Sequence, residues 1–161
     1  MKKLKRAVVV LAALIVAYHA VGGILYLCGF RNYRIPSSAM EPTIRKDEMV
    51  VGRLSDSYKR HVERLDIAIY RLPQAPGEIY AKRVAALAGE HVVIGKDGVS
   101  IGGKKVALPH PVVPAGRGAI DVSVPAGSVY LVGDNTSNSM DSRYHGPVPI
   151  DDIIGYLVFK R

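Results

Sequence analysis

The residues able to do chemistry fall in three stretches of this 161-residue chain. The first, IPSSAMEPTI from Ile35 to Ile44, holds Ser37, Ser38, Ala39, Met40 and Thr43 between Pro36 and Pro42. Proline fixes its own φ and biases the residue before it towards extended backbone. The stretch is therefore a loop that presents small side chains; taken alone, it serves equally well as a connector. The second, AKRVAALAGE from Ala81 to Glu90, sets Lys82 in a strand-like apolar run near Tyr80, Val84 and Leu87, with Arg83 alternating to the other face. The third, GDNTSNSMDSRYHG from Gly133 to Gly146, carries Ser139, Asp141 and Arg143 behind a turn. A serine hydrolase without a Ser-His-Asp triad can use a serine and a lysine. That lysine must be neutral to take the hydroxyl proton, and apolar burial lowers its pKa towards that state. Singly, Lys82 reads as a solvated strand lysine, Gly133–Asn135 as a turn and Asp141/Arg143 as surface charges. The five histidines (His19, His61, His91, His110 and His145) lie in unrelated contexts, so neither a metal site nor a cofactor is expected.

These stretches need a scaffold, and composition points to a mostly β one. The length suits one modest domain. Hydrophobic residues make up 48% and charged residues 22%, enough apolar material for a core, and 16 Gly with 10 Pro fit a turn-rich chain. Short alternating segments read as half-buried strands: Glu48–Arg53, Asp66–Arg71, Ile79–Leu87, His91–Gly95, Val129–Gly133 and Ile153–Lys160. Asp97-Gly98 marks a tight hairpin turn. A Pro/Gly-rich loop runs from Ala107 to Ala119, and no long helical periodicity follows residue 31. The expected fold is a compact antiparallel β-sheet or barrel-like domain.

Ahead of it, Ala7 to Cys28 is almost wholly apolar. About 20 such residues cross a bilayer as a helix. His19 is the one strongly polar side chain within it. The flank MKKLKR carries part of the net charge of +8. It should stay cytoplasmic, sending the C-terminus outward. The run is long for a cleaved signal peptide, and Tyr18-His19-Ala20 is a poor cleavage site. The expected organisation is a cytoplasmic flank over 1–6, a transmembrane signal anchor over 7–28 and an extracytoplasmic domain over 29–161. An anionic lipid bilayer suits the charge better than nucleic acid does, because no basic run interleaves aromatics. The single cysteine, Cys28, cannot form an intrachain disulfide, and packing is its expected role.

Together the three stretches resemble the type I signal peptidases (leader peptidases). The family pattern P-S-G-S-M-x-P-T meets P-S-S-A-M-E-P-T from Pro36 to Thr43. K-R-V-x-G-x-P-G-D meets K-R-V-A-A-L-A-G-E from Lys82 to Glu90. G-D-N-x-x-x-S-x-D-S-R-Y-x-G is met at every fixed position from Gly133 to Gly146. The resemblance implies that Lys82 is the general base and Ser37 helps form the oxyanion hole. It further implies that Ser139 orients the lysine, that Asp141 and Arg143 form a structural ion pair, and that Met40 packs beneath the nucleophile. The implied activity is removal of N-terminal signal peptides from exported preproteins at the plasma (inner) membrane. The implied substrates have small residues at −1 and −3.

One departure bears on the chemistry. The nucleophile position holds Ala39 where the family has serine, and a methyl group attacks no carbonyl. Pro36, Met40, Pro42 and Thr43 keep their spacing, so no gap restores a serine. Ser38 would face the other way in an extended segment, and Ser37 would be displaced and is assigned to the oxyanion. The chain as written is expected to be inactive, either as a serine-to-alanine form of a peptidase or as a natural pseudopeptidase that binds signal peptides. The retained Lys82, Ser37, Ser139, Asp141 and Arg143 favour the former. Smaller departures are Ser38 for Gly, Ala88 for Pro, Glu90 for Asp and His145 at a commonly aromatic position.

Overall fold

The computed structural model describes residues 2–160 apart from 74, 115 and 117. The ends of the terminal segments (Met1 and Arg161) and part of the 107–119 loop thus lie outside the described residues. The chain begins with helix α1 (Lys2–Leu27), which takes in the basic flank as well as the apolar run. At 1.5 Å per residue it is about 39 Å long, more than a bilayer core requires. None of its residues is buried, and its best window has a mean hydropathy of 2.4. An apolar helix with no protein face to cover it needs an apolar solvent. His19 stays within the helix, its Nδ1 2.8 Å from the Ile15 carbonyl. Cys28, expected to pack, is exposed just beyond the helix, where no core element reaches it.

The rest is two antiparallel sheets. Strands β1 (Phe30–Arg34), β2 (Met49–Leu54), β3 (Ile67–Leu72) and β4 (Ala75–Ala86) come first. Next come β5 (His91–Gly95), β6 (Gly98–Ile101), β7 (Lys104–Val106) and β8 (Ile120–Ser123). The last are β9 (Ser128–Val132), β10 (Val148–Pro149) and β11 (Ile153–Lys160), with a one-turn helix α2 (Ser142–His145) between β9 and β10. The larger sheet has the order β1-β2-β11-β3-β4-β9-β10 and the smaller β7-β6-β5-β8. The alternating segments predicted from sequence are all strands. The short β1, β7 and β8 lacked a pattern strong enough to read, and β4 starts earlier than its apolar run. Gly98 takes φ +101° at the β5–β6 turn, a conformation that a side chain would oppose.

Three apolar clusters fill the fold. Ala86, Val92, Ile94 and Tyr130 hold the smaller sheet against the larger. Tyr70, Val84, Leu131 and Ile153 fill one face of β3, β4 and β9. Met40, Ile44, Val50 and Ile67 seat the 35–44 loop. The loop that carries Ala39 is thereby part of the core rather than a free connector.

Candidate active site

Strand β4 is the base of the site. Its register against β3 sets Lys82 opposite Ala68 and Tyr80 opposite Tyr70, while Arg83 lies opposite Ile67 and, on the other flank, Val132. Alternation sends the two neighbouring cations to opposite faces. Lys82 is only 4% exposed. Its Nζ donates one hydrogen bond, 3.3 Å to the carbonyl of Ala81, and sits 5.8 Å from the Tyr80 ring centroid. Burial pushes its pKa below the ordinary lysine value, and the Asp141 charge opposes part of that shift.

Arg83, by contrast, is saturated. Its Nε and Nη2 grip Asp134 at 2.7 and 2.6 Å, Nη1 donates to the Leu65 carbonyl at 2.7 Å, and Nη2 also reaches Thr43 Oγ1 at 3.3 Å. The Thr43 hydroxyl donates to Asp134. His110 Nε2 lies 3.0 Å from the same hydroxyl oxygen, which is left to accept from it. One carboxylate therefore ties together β4, the 35–44 loop, the 107–119 loop and the start of the 133–146 block. Read from sequence as part of a turn, Asp134 is instead buried at the hub of these connections. The available signal was Arg83 itself: an arginine on a strand buried on both faces needs an acid.

Gly133 is where the stretches meet. Asn135 donates its N–H to the Ala39 carbonyl at 3.0 Å and its side-chain amide to the Ser38 carbonyl at 3.2 Å. Asn138 donates to Ser38 Oγ at 2.7 Å. A Cβ on Gly133 would stand 2.6 Å from the Ala39 carbonyl oxygen and from Ser139 Cβ, so only glycine lets the two loops close together here. Ala39 and Met40 are buried, and Ser37 is exposed at the rim.

The 133–146 block is held from within. Asp141 caps α2 by accepting from the Arg143 N–H at 3.1 Å, and takes the Gly133 N–H at 2.9 Å. Arg143 Nε and Nη2 reach its two oxygens at 2.8 and 3.0 Å. Both side chains are wholly enclosed. Arg143 also donates to the carbonyls of Val113 and Ser139. Ser139 Oγ, expected to orient Lys82, is buried with no hydrogen-bond partner. After β4, Glu90 accepts the Leu87 N–H at 2.7 Å and pairs with Arg64 at 2.5 Å. The longer acid at this position thus still closes the turn. Among the described residues no cluster of metal-ligating side chains occurs.

Comparisons with known proteins identify the family. The family model described as "Signal peptidase, peptidase S26" matches residues 4–160. Mitochondrial inner membrane protease subunit 1 of Mus musculus is 33% identical over 144 residues, covering 89% of this chain and 72% of the relative. Signal peptidase I V of Bacillus subtilis is 32% identical over 143 residues, covering 80% and 83%. The crystal structure of a signal peptidase I from Enterococcus faecalis V583 aligns with TM-score 0.50 at 28% identity, covering 60% of this chain and 96% of that one. The chain belongs to the S26 signal peptidase family of serine peptidases.

Proposed function

We propose that this chain is the scaffold of a single-pass membrane endopeptidase that recognises the N-terminal signal peptides of exported preproteins, and that Ala39 marks its nucleophile position. The observation that carries the reading is the burial of Lys82, with one weak hydrogen bond, on the strand that the Gly133 junction joins to the Ala39 loop. A serine at position 39 would attack the scissile carbonyl while Lys82 takes its proton; water activated by the same amine would then release the acyl group. Ser37, exposed on the same loop, would supply a hydroxyl to stabilise the oxyanion. Met40 supports the loop from the core, and Asp141 with Arg143 keeps the last block rigid.

The substrate would lie extended beside the 33–37 segment and β4. Tyr33, Ile35, Val50, Ile69, Ala81 and Leu157 line a cavity of about 40 Å³ there. A restricted apolar space of this kind would favour small side chains over large ones. Helix α1 would anchor the domain, its Lys2, Lys3, Lys5 and Arg6 on the cytoplasmic side of the plasma membrane and the site outside. No cofactor is required by this chemistry.

The second reading, a non-catalytic signal-peptide-binding protein, rests on Ala39 itself. One experiment separates them: a preprotein with an Ala-x-Ala site is incubated in detergent with the chain and with its Ala39→Ser form. The expected outcome is cleavage by the serine form alone, roughly 10⁶-fold above the alanine chain, and its loss with Lys82→Ala. Binding without cleavage by either form would establish the second reading. Full-rate cleavage by the alanine chain would overturn the assignment of position 39.

A further inference from the structure

Where the end of α1 meets β1 and β2, the elements enclose a groove of about 440 Å³. Val21, Gly22 and Leu25 form the helix wall, and Phe30, Arg31 and Val51 face them from the strands. Val21 and Leu25 are about half exposed and have no protein partner over them. A Cβ on Gly22 would meet nothing within 4 Å, so packing does not demand glycine there; its effect is to leave the groove open.

Two cations stand at the strand side. The Arg31 Cζ lies 3.5 Å from the Tyr26 ring centroid, and its Nη1 donates to the carbonyls of Tyr26 and Phe30 at 2.6 and 2.9 Å. These contacts hold the guanidinium against the C-terminal end of α1, where a cation is favoured. They use one nitrogen. Nε and Nη2, with the other three hydrogens, have no acceptor among the described residues. Arg53 is the cross-strand partner of Phe30 and shares its face, with Cζ 5.5 Å from the Phe30 ring centroid. Among the described residues neither arginine has a carboxylate at ion-pair distance, whereas Arg34, further along β1, has Asp47 at 3.1 Å.

An apolar groove beside unpaired guanidinium groups suits an amphiphile with an anionic head. If α1 crosses a bilayer, its C-terminal end lies at headgroup level, where Tyr26 is an exposed interfacial aromatic. The rival occupant is the apolar segment of a signal peptide. It brings no anion, and its flank is basic.

We propose that this groove binds one anionic phospholipid, with its phosphate on the open edge of Arg31, Arg53 beside it, and an acyl chain along Val21, Gly22 and Leu25. A guanidinium edge takes two phosphate oxygens at once, which an ammonium does not. A lipid held by both α1 and β1 also fixes the pose of the domain against the bilayer. The inference rests on the reading of α1 as a membrane anchor, not on the assignment of residue 39.

The test counts lipids. The full chain in mild detergent is titrated with phosphatidylglycerol and with phosphatidylcholine of the same chains, and bound lipid is measured by native mass spectrometry. One phosphatidylglycerol per chain is expected, held roughly tenfold tighter than phosphatidylcholine. Arg53→Gln should remove most of that preference, and Arg31→Lys, which keeps the charge but not the fork, should weaken it. Gly22→Leu fills the groove without touching a cation and should release the lipid. Arg34→Gln should change nothing. Equal binding of the two lipids overturns the proposal. So does a loss in Arg34→Gln equal to that in Arg53→Gln, which would mark diffuse attraction. Displacement of the lipid by one equivalent of a signal peptide would give the groove to the substrate instead. Flotation with vesicles separates the two readings. A chain that floats with neither lipid overturns the anchor and the site together; one that floats but fails the count overturns the site alone.

Discussion

Lys82 and Arg83 are neighbours on one strand, both nearly inaccessible, and β4 treats them in opposite ways. On Arg83's face the charge is matched twice by Asp134 and capped by the Leu65 carbonyl and Thr43. On Lys82's face the ammonium meets one carbonyl at 3.3 Å among Ala68, Tyr70 and Val84. A bound, saturated cation holds loops together; burial with one weak partner lowers the pKa of the other. The same burial therefore has opposite consequences on the two sides of the strand. The second ion pair, Asp141 with Arg143, is local to its block, whereas Arg83 and Asp134 are 51 residues apart and join stretches that sequence leaves separate.

The largest effect should come from breaking the saturated side. Arg83→Met leaves Asp134 buried without its partner and is expected to cost about 3–5 kcal/mol, seen as a lower urea midpoint for the full chain in detergent. Pairing it with Asp134→Leu removes the orphaned charge and should recover most of the loss. If the single and double variants are equally destabilised, the pair is not the hub described above.

Next is Gly133→Ala. The added Cβ meets the Ala39 carbonyl and Ser139, so the two loops must move apart. Overpacking of this kind costs about 1–3 kcal/mol. In the Ala39→Ser background, loss of cleavage should exceed anything the stability change explains, because near-attack geometry is strict. Cleavage by that variant at the rate of the Ala39→Ser form would show that the close approach at Gly133 does not position residue 39.

How much of this was legible beforehand follows the range of each interaction. The anchor, the larger strands and the β5–β6 hairpin are written in local periodicity and turn residues. The opposed directions of Lys82 and Arg83 also follow from alternation alone. Asp134 was not legible as a partner, because nothing in Gly-Asp-Asn says that the acid points inward to a strand 51 residues earlier. Gly133 read as a turn for the same reason: its role is an approach between loops far apart in sequence. The expected Ser139–Lys82 bond depended on side-chain torsions that no pattern encodes, and the serine hydroxyl is unpartnered instead.

The smallest effect concerns the starved side, and its sign is opposite. Burial lowers the Lys82 pKa in the folded chain, while in the unfolded chain it titrates at the ordinary lysine value. Between the folded and unfolded values the unfolded state holds the extra proton, so stability rises with pH through that window. Below the folded value both states are protonated and the full cost of burying the ammonium remains. Lys82→Met removes the charge and keeps an unbranched apolar stem, so it should be more stable than the parent at neutral pH. The gap should narrow as pH climbs towards the ordinary lysine value. Denaturant midpoints of both forms across that range measure it directly. A gap that is absent at neutral pH, or constant with pH, would mean that Lys82 is solvated in the folded chain, and the contrast between the two faces of β4 would fail with it.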